Sequence, residues 1–353
     1  MAFEPRNRGR LRVRDGWRGE ACATVMAELV PTLSLSGRAL VIDDDHDIVA
    51  AALRDAGVTP VMWYRRALDG HTATAWPSPN PVDIATIRLP SSRDALDMLL
   101  HAAAARLAPG GQLFVYGTND EGIRSTARWI EAVFGATRTL DTRRHSRVLA
   151  ATRPPDIPDL RPALDDWRTP FTIELPDGRF DFVSYPGVFA HGKLDAGTRV
   201  LLDAMPTPSP GARVLDFGCG AGIVAAVLHH RAPSTQLDLL DVLAHATAAA
   251  RLNVPSARLF LGDAWTAIDP SSRYDLVLSN PPIHTGVGED YRVLTSLIEH
   301  APDRLTATGE LWLVVQRTVP LRDVLANSFG SIDEPAGDSQ FRIWCARSPR
   351  RRR

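Results

Sequence analysis

Lysine is almost missing from this sequence: Lys193 is the only one, so nearly all of the 40 basic side chains are arginine. Nothing asks for a guanidinium fork at every such position, and the bias reads as one of coding. Net charge is missing too. With 41 acidic side chains the formal charge is −1, which excludes a protein that coats nucleic acid by bulk electrostatics but leaves room for a local basic patch. Cysteine is scarce, and Cys22, Cys219 and Cys345 are too scattered for a disulfide framework and form no CxxC zinc pair. They are expected to be small buried hydrophobes in a reducing compartment. No apolar run approaches the roughly 18 to 20 residues of a membrane span. The first twenty residues are arginine-rich but contain Glu4, Asp15 and Glu20 and lack the apolar core of a secretory signal. The expectation is a cytoplasmic protein that makes no membrane contact.

What is present is apolar material, 44% of 353 residues, enough for about two domains. The proline-dense stretch from Arg153 through Pro154, Pro155 and Pro158 to Pro162 cannot continue a helix or an inner strand. It divides the chain into residues 1–153 and 154–353. Beyond it, Thr172 to Leu175 and Arg179 to Ser184 flank Pro176-Asp177-Gly178 and predict a hairpin. Short apolar runs then alternate with helical segments. Strands are expected at 213–217, 236–241, 257–261, 274–279, 310–315 and 341–346, and helices at 223–230, 291–305 and 321–329. Such runs indicate strands buried on both faces of a parallel, doubly wound sheet.

The N-terminal half repeats the plan. Ala39 to Asp43 parallels Arg213 to Asp216, Val82-Asp83-Ile84 parallels Tyr274-Asp275-Leu276, and Gly110 to Val115 parallels Thr308 to Leu313. The copies differ after their first strands, where Gly218, Gly220 and Gly222 stand against Asp44, Asp45, His46 and Asp47. Glycines let a ligand lie against the backbone at the carboxyl end of the strands, and carboxylates there would block it. The fold expected is α/β, with two tandem Rossmann-like domains. The first is degenerate; the second is a mainly parallel seven-stranded sheet with a terminal antiparallel strand.

A GxGxG loop alone fits several nucleotide cofactors, but Asp216 and Asp241 narrow the choice. Asp216 is placed to accept from the ammonium of S-adenosylmethionine, and Asp241 to accept from both ribose hydroxyls. Asp263 could accept from the adenine amino group or cap the following helix. The most specific signal is Asn280-Pro281-Pro282-Ile283-His284 after the fourth strand. Two prolines stiffen the backbone, so the Asn280 side-chain oxygen and the Pro281 carbonyl can both accept from one planar NH2 group. An amine so oriented would attack a sulfonium methyl, with no metal required. His284 could touch a phosphate or the base, or serve structure only.

These residues, in this order, resemble the class I S-adenosylmethionine methyltransferases that act on planar amino groups. With Pro186-Gly187-Val188-Phe189 and Leu194-Asp195-Ala196-Gly197-Thr198, they are similar to the bacterial ribosomal RNA guanine-N2 methyltransferases of the small-subunit methyltransferase C type. The N-terminal stretches Leu89 to Arg93, Tyr116-Gly117 and Glu121 to Ser125 share that resemblance, which covers nearly the whole chain from about residue 35. It implies S-adenosylmethionine as cofactor, ribosomal RNA or the small subunit as partner, and methylation of a guanine N2. Its binding residues carry over to Asp216, Gly218, Gly220, Asp241, Asp263 and Asn280. It also implies an N-terminal copy that helps to hold RNA or the active fold; deleting that copy is expected to leave cofactor affinity measurable and to abolish RNA methylation. Phe189 would lie over the cofactor or base, or in the core. Ile283 departs from the Phe or Tyr of many relatives, which replaces base stacking by aliphatic packing. Arginines at both termini, Arg6 to Arg18 and Arg347 to Arg353, are candidate phosphate contacts. Three other readings stay open: a protein glutamine-N5 methyltransferase, a small-molecule amine methyltransferase, and a non-catalytic RNA-binding protein.

Overall fold

The computed structural model describes residues 16–68, 70–282, 284–285, 288–289 and 291–350. Strand β1 (Arg38–Ile42) shows how its sheets arise. Leu40 and Ile42 join the core on one face, Ala39 and Val41 the core on the other, and all four are buried. A strand apolar on both faces needs helices on both sides. Helices α1 (Gly16–Leu29) and α2 (Ile48–Asp55) cover one face, and α3 (Arg93–Ala104) and α4 (Ala127–Phe134) the other. The remaining strands of this sheet are β2 (Thr59–Trp63), β3 (Val82–Arg88), β4 (Leu107–Thr118), β5 (Thr137–Arg143) and β6 (Ser146–Thr152), in the order β2-β1-β3-β4-β6-β5.

A linker leads to the hairpin β7 (Thr169–Leu175) and β8 (Gly178–Ser184), and then to α5 (Ala196–Ala204). The second sheet follows with β9 (Arg213–Phe217), α6 (Ile223–Arg231), β10 (Gln236–Asp241), α7 (Ala244–Asn253), β11 (Arg258–Leu261) and β12 (Tyr274–Ser279). A two-residue ladder, β13 (His284–Thr285) with β14 (Gly288–Glu289), precedes α8 (Arg292–Arg304) and β15 (Leu305–Gln316). The chain ends with α9 (Arg322–Ser328), β16 (Phe329–Gly337) and β17 (Phe341–Pro349). The seven strands run in the order β11-β10-β9-β12-β15-β17-β16; β9 to β12 and β15 are parallel, and β17 is antiparallel to its neighbours. The strand not assigned from the sequence is β16. It lies at the sheet edge, is largely exposed, and contains Pro335, which only an edge accommodates.

Matching contacts tie the two sheets to one plan. Arg38 N donates to Asp83 Oδ2 at 2.9 Å, and Arg213 N donates to Asp275 Oδ2 at 3.0 Å. In β4 and β15 a Cβ on Gly111 or Gly309 would sit 2.9 Å from the Asp83 carbonyl or 2.7 Å from that of Tyr274, so both strands need glycine there to pair closely. The halves also share a core. Met98 of α3, Trp167 of the linker, Tyr185 and Val188 pack with Ala221 of the glycine loop and with Ala246 and Ala249 of α7. That core holds the N-terminal half against the elements carrying the candidate site.

Candidate active site

The glycine loop is fixed at its base, where Gly218 N and Cys219 N both donate to the Leu240 carbonyl, at 2.8 and 3.0 Å. Gly218 and Gly220 have φ of 75° and 53°, in the left-handed region. A Cβ on Gly220 would meet nothing within 4 Å, and one on Gly218 only Pro282 Cδ, at 3.9 Å. That face of the loop is open to a ligand. Gly222 serves packing instead, since a Cβ there would press on Val254 and Ala250 of α7 at 3.2 and 3.3 Å.

The carboxylates are placed differently from one another. Asp216 is the penultimate residue of β9, buried, and its Oδ2 accepts from Ala225 N of α6 at 3.3 Å. Burial, opposed by that N–H and reinforced by the charge of Asp241, pushes its carboxyl up to about 7. Its direct contact is therefore with the helix backbone under the loop. Asp241 ends β10; its Oδ2 accepts from Gly220 N at 2.8 Å and its Oδ1 from Leu243 N at 2.9 Å. Each oxygen has lone-pair capacity for a further donor, and burial raises this carboxyl as well. Asp263 stands at the N-cap position of the turn Ala264–Ala267, but its side chain makes no cap bond; its carbonyl closes the turn by accepting from Thr266. The carboxylate accepts no hydrogen bond among the described residues. Glycines open to a ligand and carboxylates beside them fit an S-adenosylmethionine nucleoside and amino-acid tail.

The diproline corner adjoins this loop. Ser279 Oγ donates to the Phe217 carbonyl at 2.7 Å and ties the ends of β12 and β9 together. Asn280 Nδ2 donates to Asp195 Oδ2 and to Thr198 Oγ1, each at 2.9 Å. Its Oδ1 accepts no hydrogen bond among the described residues. Pro281 is buried, and Pro282 is exposed with its ring beside Gly218. Ile283 and the side chain of His284 lie outside the described residues.

Two partners of the site went unassigned in the sequence. Asp195 and Thr198 could be read as a helix start, with Asp195 capping α5 through Thr198 N at 2.9 Å. Their link to Asn280 spans more than 80 residues and has no local signal. Asn253, at the end of α7, donates to the carbonyls of Val183 and Ala221 and so ties β8 to the glycine loop. Phe189 is 63% exposed, so the core is not its place. Where the structure describes the candidate phosphate contacts, they have partners within the chain. Arg347 is ion-paired to Glu310 and Asp333, and Arg350 donates to the Ser328 and Ala326 carbonyls at the end of α9. Arg6, Arg8, Arg10, Arg12, Arg14 and Arg351 to Arg353, and the side chain of Arg18, lie outside the described residues.

The N-terminal copy shows what a closed version of the site looks like. Its sheet register puts Val41 at the place of Asp216, Asp43 at that of Gly218 and Tyr64 at that of Asp241. Asp43 is ion-paired with the nearly buried Arg65, its Oδ2 accepting from Arg65 Nε at 2.7 Å. The Tyr64 ring stacks on His71 at 3.8 Å, and its hydroxyl donates to Asp47 at 2.5 Å. Side chains of the chain itself thus fill the ligand place. The same segment pairs with the second domain just after Asp241, as Ala67 N donates to the Val242 carbonyl and Ala244 N to that of Arg65, both at 2.8 Å. The filled end of the first sheet therefore braces the segment that follows Asp241. A C-terminal half alone would lose this support and bare Tyr185, Val188, Ala246 and Ala249. Asp43→Ala leaves the Arg65 charge unpaired, a loss of about 3 to 5 kcal/mol for a buried pair. It is expected to lower the thermal midpoint and weaken S-adenosylmethionine binding in calorimetry; unchanged affinity and midpoint would contradict the coupling.

Residues 179–345 match the methyltransferase small domain, and residues 36–169 match the methyltransferase small domain N-terminal. The chain is 38% identical over 268 residues to the ribosomal RNA small subunit methyltransferase C of Pseudomonas entomophila, covering 75% of this chain and 79% of that protein. It is 31% identical over 278 residues to the protein of the same name from Shewanella halifaxensis, covering 78% and 80%. Among solved structures, the T. thermophilus 16S rRNA N2 G1207 methyltransferase, in complex with AdoMet and guanosine, superposes with a TM-score of 0.81 at 20% identity, over 98% of this chain and 97% of that one. This protein belongs to the ribosomal RNA small subunit methyltransferase C family.

Proposed function

We propose that this protein transfers a methyl group from S-adenosylmethionine to the exocyclic N2 of a guanine in small-subunit ribosomal RNA. The observation that carries the reading is the Asn280 carboxamide, whose nitrogen is tied to Asp195 and Thr198 so that its oxygen is left for the substrate. The names of the relatives support RNA as the substrate, and the second sheet in place of a helical N-terminal domain disfavours the protein-glutamine reading. The cofactor supplies a methyl group on a sulfonium, open to displacement in line by an amine lone pair.

The chain's own residues do the rest. Gly218 and Gly220 admit the cofactor against the backbone, and Asp241 accepts from its ribose. Asn280 Oδ1 and the Pro281 carbonyl accept the two N–H groups of the guanine amine. Held there, the nitrogen is turned out of conjugation with the ring, its lone pair is freed for attack, and after the N–C bond forms the nitrogen gives up one proton to solvent. Pro282 keeps that corner against the glycine loop, and Phe189 offers an exposed ring to the entering base.

The N-terminal domain, residues 1–153, holds the RNA beside this mouth, and the protein acts in the cytoplasm, where that RNA is. What supports this use is a set of guanidinium groups on this domain. Arg93 and Arg128 lie 4.7 and 5.1 Å from its ring, and Arg124 and Arg147 share Asn119 Oδ1. The first turn of α3, which carries Arg93, reaches the Tyr185–His191 segment, where Ala95 sits behind Gly187.

Three results are expected. Asn280→Ala lowers kcat roughly 10²- to 10³-fold while S-adenosylmethionine still binds, and ribosomal RNA from cells carrying it lacks one N2-methylguanosine by nucleoside mass spectrometry. Full methylation by that variant would refute the amine-orienting role. The combined change Arg93→Ala and Arg128→Ala raises KM for RNA and flattens its salt dependence by about two charges, with cofactor affinity intact; an unchanged KM would place the RNA elsewhere. The third result concerns pH. In the free protein Asp216 is mostly protonated below about pH 7, whereas a cationic cofactor favours the carboxylate, so binding releases a proton. Affinity for S-adenosylmethionine should then fall as pH drops below that point, by up to about tenfold per pH unit, and Asp216→Asn should flatten the profile. A wild-type affinity independent of pH from 6 to 8 would contradict it.

A further inference from the structure

We infer that Asp195 and Thr198 are positioning residues that lock the Asn280 carboxamide in one orientation and thereby make the site selective for an amine. The inference rests on the function proposed above. A carboxamide has two nearly isosteric ends, and only its oxygen can accept from a substrate NH2; its nitrogen would face that group as donor against donor. Asn280 is free to choose between these ends unless its surroundings choose for it.

They do so through an acceptor-only carboxylate. Asp195 Oδ2 sits 2.9 Å from Asn280 Nδ2. Turning the amide over would bring two oxygens to that distance with no proton between them. Thr198 Oγ1 lies at the same distance from Asn280 Nδ2, and 3.4 Å from Asp195 Oδ2. Its hydroxyl proton is directed at the carboxylate, so the oxygen faces the amide with a lone pair. Both amide N–H groups therefore have fixed acceptors.

The short motif from Asp195 to Thr198 is shaped for this. Asp195 Oδ2 also caps α5 through Thr198 N at 2.9 Å, which fixes the carboxylate by the helix it starts. Between them Gly197 must be small. A Cβ there would lie 3.1 Å from Asp195 Oδ2 and 3.0 Å from Phe341 Cε1, forcing the carboxylate or the ring aside. Thr198 is itself buried. A rigid helix start thus reaches across the sheet to orient a side chain at the end of β12.

The test compares Thr198→Val, which keeps shape and loses the acceptor, with Thr198→Ser, which keeps the hydroxyl. Thr198→Val is expected to lower kcat for guanine methylation in ribosomal RNA roughly 10- to 100-fold, with unchanged S-adenosylmethionine affinity and thermal midpoint, and Thr198→Ser to restore most of the rate. Wild-type kcat in Thr198→Val would overturn the lock, as would a loss in Thr198→Ser equal to that in Thr198→Val. Failure of the wild-type protein to methylate guanine N2 would instead overturn the function on which the lock rests.

Discussion

The parallel pairing of β12 with β9, carried one residue further by the hydrogen bond from Ser279 Oγ to the Phe217 carbonyl, holds the two strand ends of the site side by side. One end continues into the glycine loop, the other into Asn280 and the diproline. Methyl transfer needs the donor carbon and the acceptor nitrogen within a few tenths of an ångström of the productive line, and misplacement by about 1 Å costs on the order of a hundredfold in rate. The chain meets this demand with backbone. The loop is pinned to the Leu240 carbonyl, the corner is stiffened by proline rings, and Pro282 touches the space over Gly218. Side-chain choice then decides what enters.

The two halves show one architecture put to two uses. In the second, glycines leave space and carboxylates stand beside it. In the first, Asp43, Arg65, Tyr64, His71 and Asp47 satisfy one another and fill that space. The filled site then carries the antiparallel contact from Arg65, Arg66 and Ala67 to the segment after Asp241. The filled end of the first sheet is thus bonded directly to the segment that follows Asp241 in the second. The buried core from Met98 to Ala249 makes the halves a single mechanical unit around the cofactor loop.

Much of this was legible in the sequence, for physical reasons. Strands buried on both faces leave apolar runs, glycine loops and Asn-Pro-Pro are contiguous, and the duplicated runs share their spacing. What was hidden depends on contacts distant in sequence or on polar strands. β16 has the composition of an exposed edge. The orientation of Asp216 toward Ala225 N depends on how α6 packs, which no spacing reveals. Asp195 and Thr198 carry a helix-start signal, and nothing local connects them to Asn280. Arg347 and Arg350 look like a solvated tail until β17 and α9 are seen to hold them.

The most direct measurement is a crystal structure of the protein with S-adenosylhomocysteine and guanosine. The account requires the guanine N2 within about 2.7 to 3.2 Å of both Asn280 Oδ1 and the Pro281 carbonyl, with the cofactor sulfur on the side of Gly218 and Gly220. A guanine whose amine points away from that corner, or a sulfur on the far side of the loop, would contradict it.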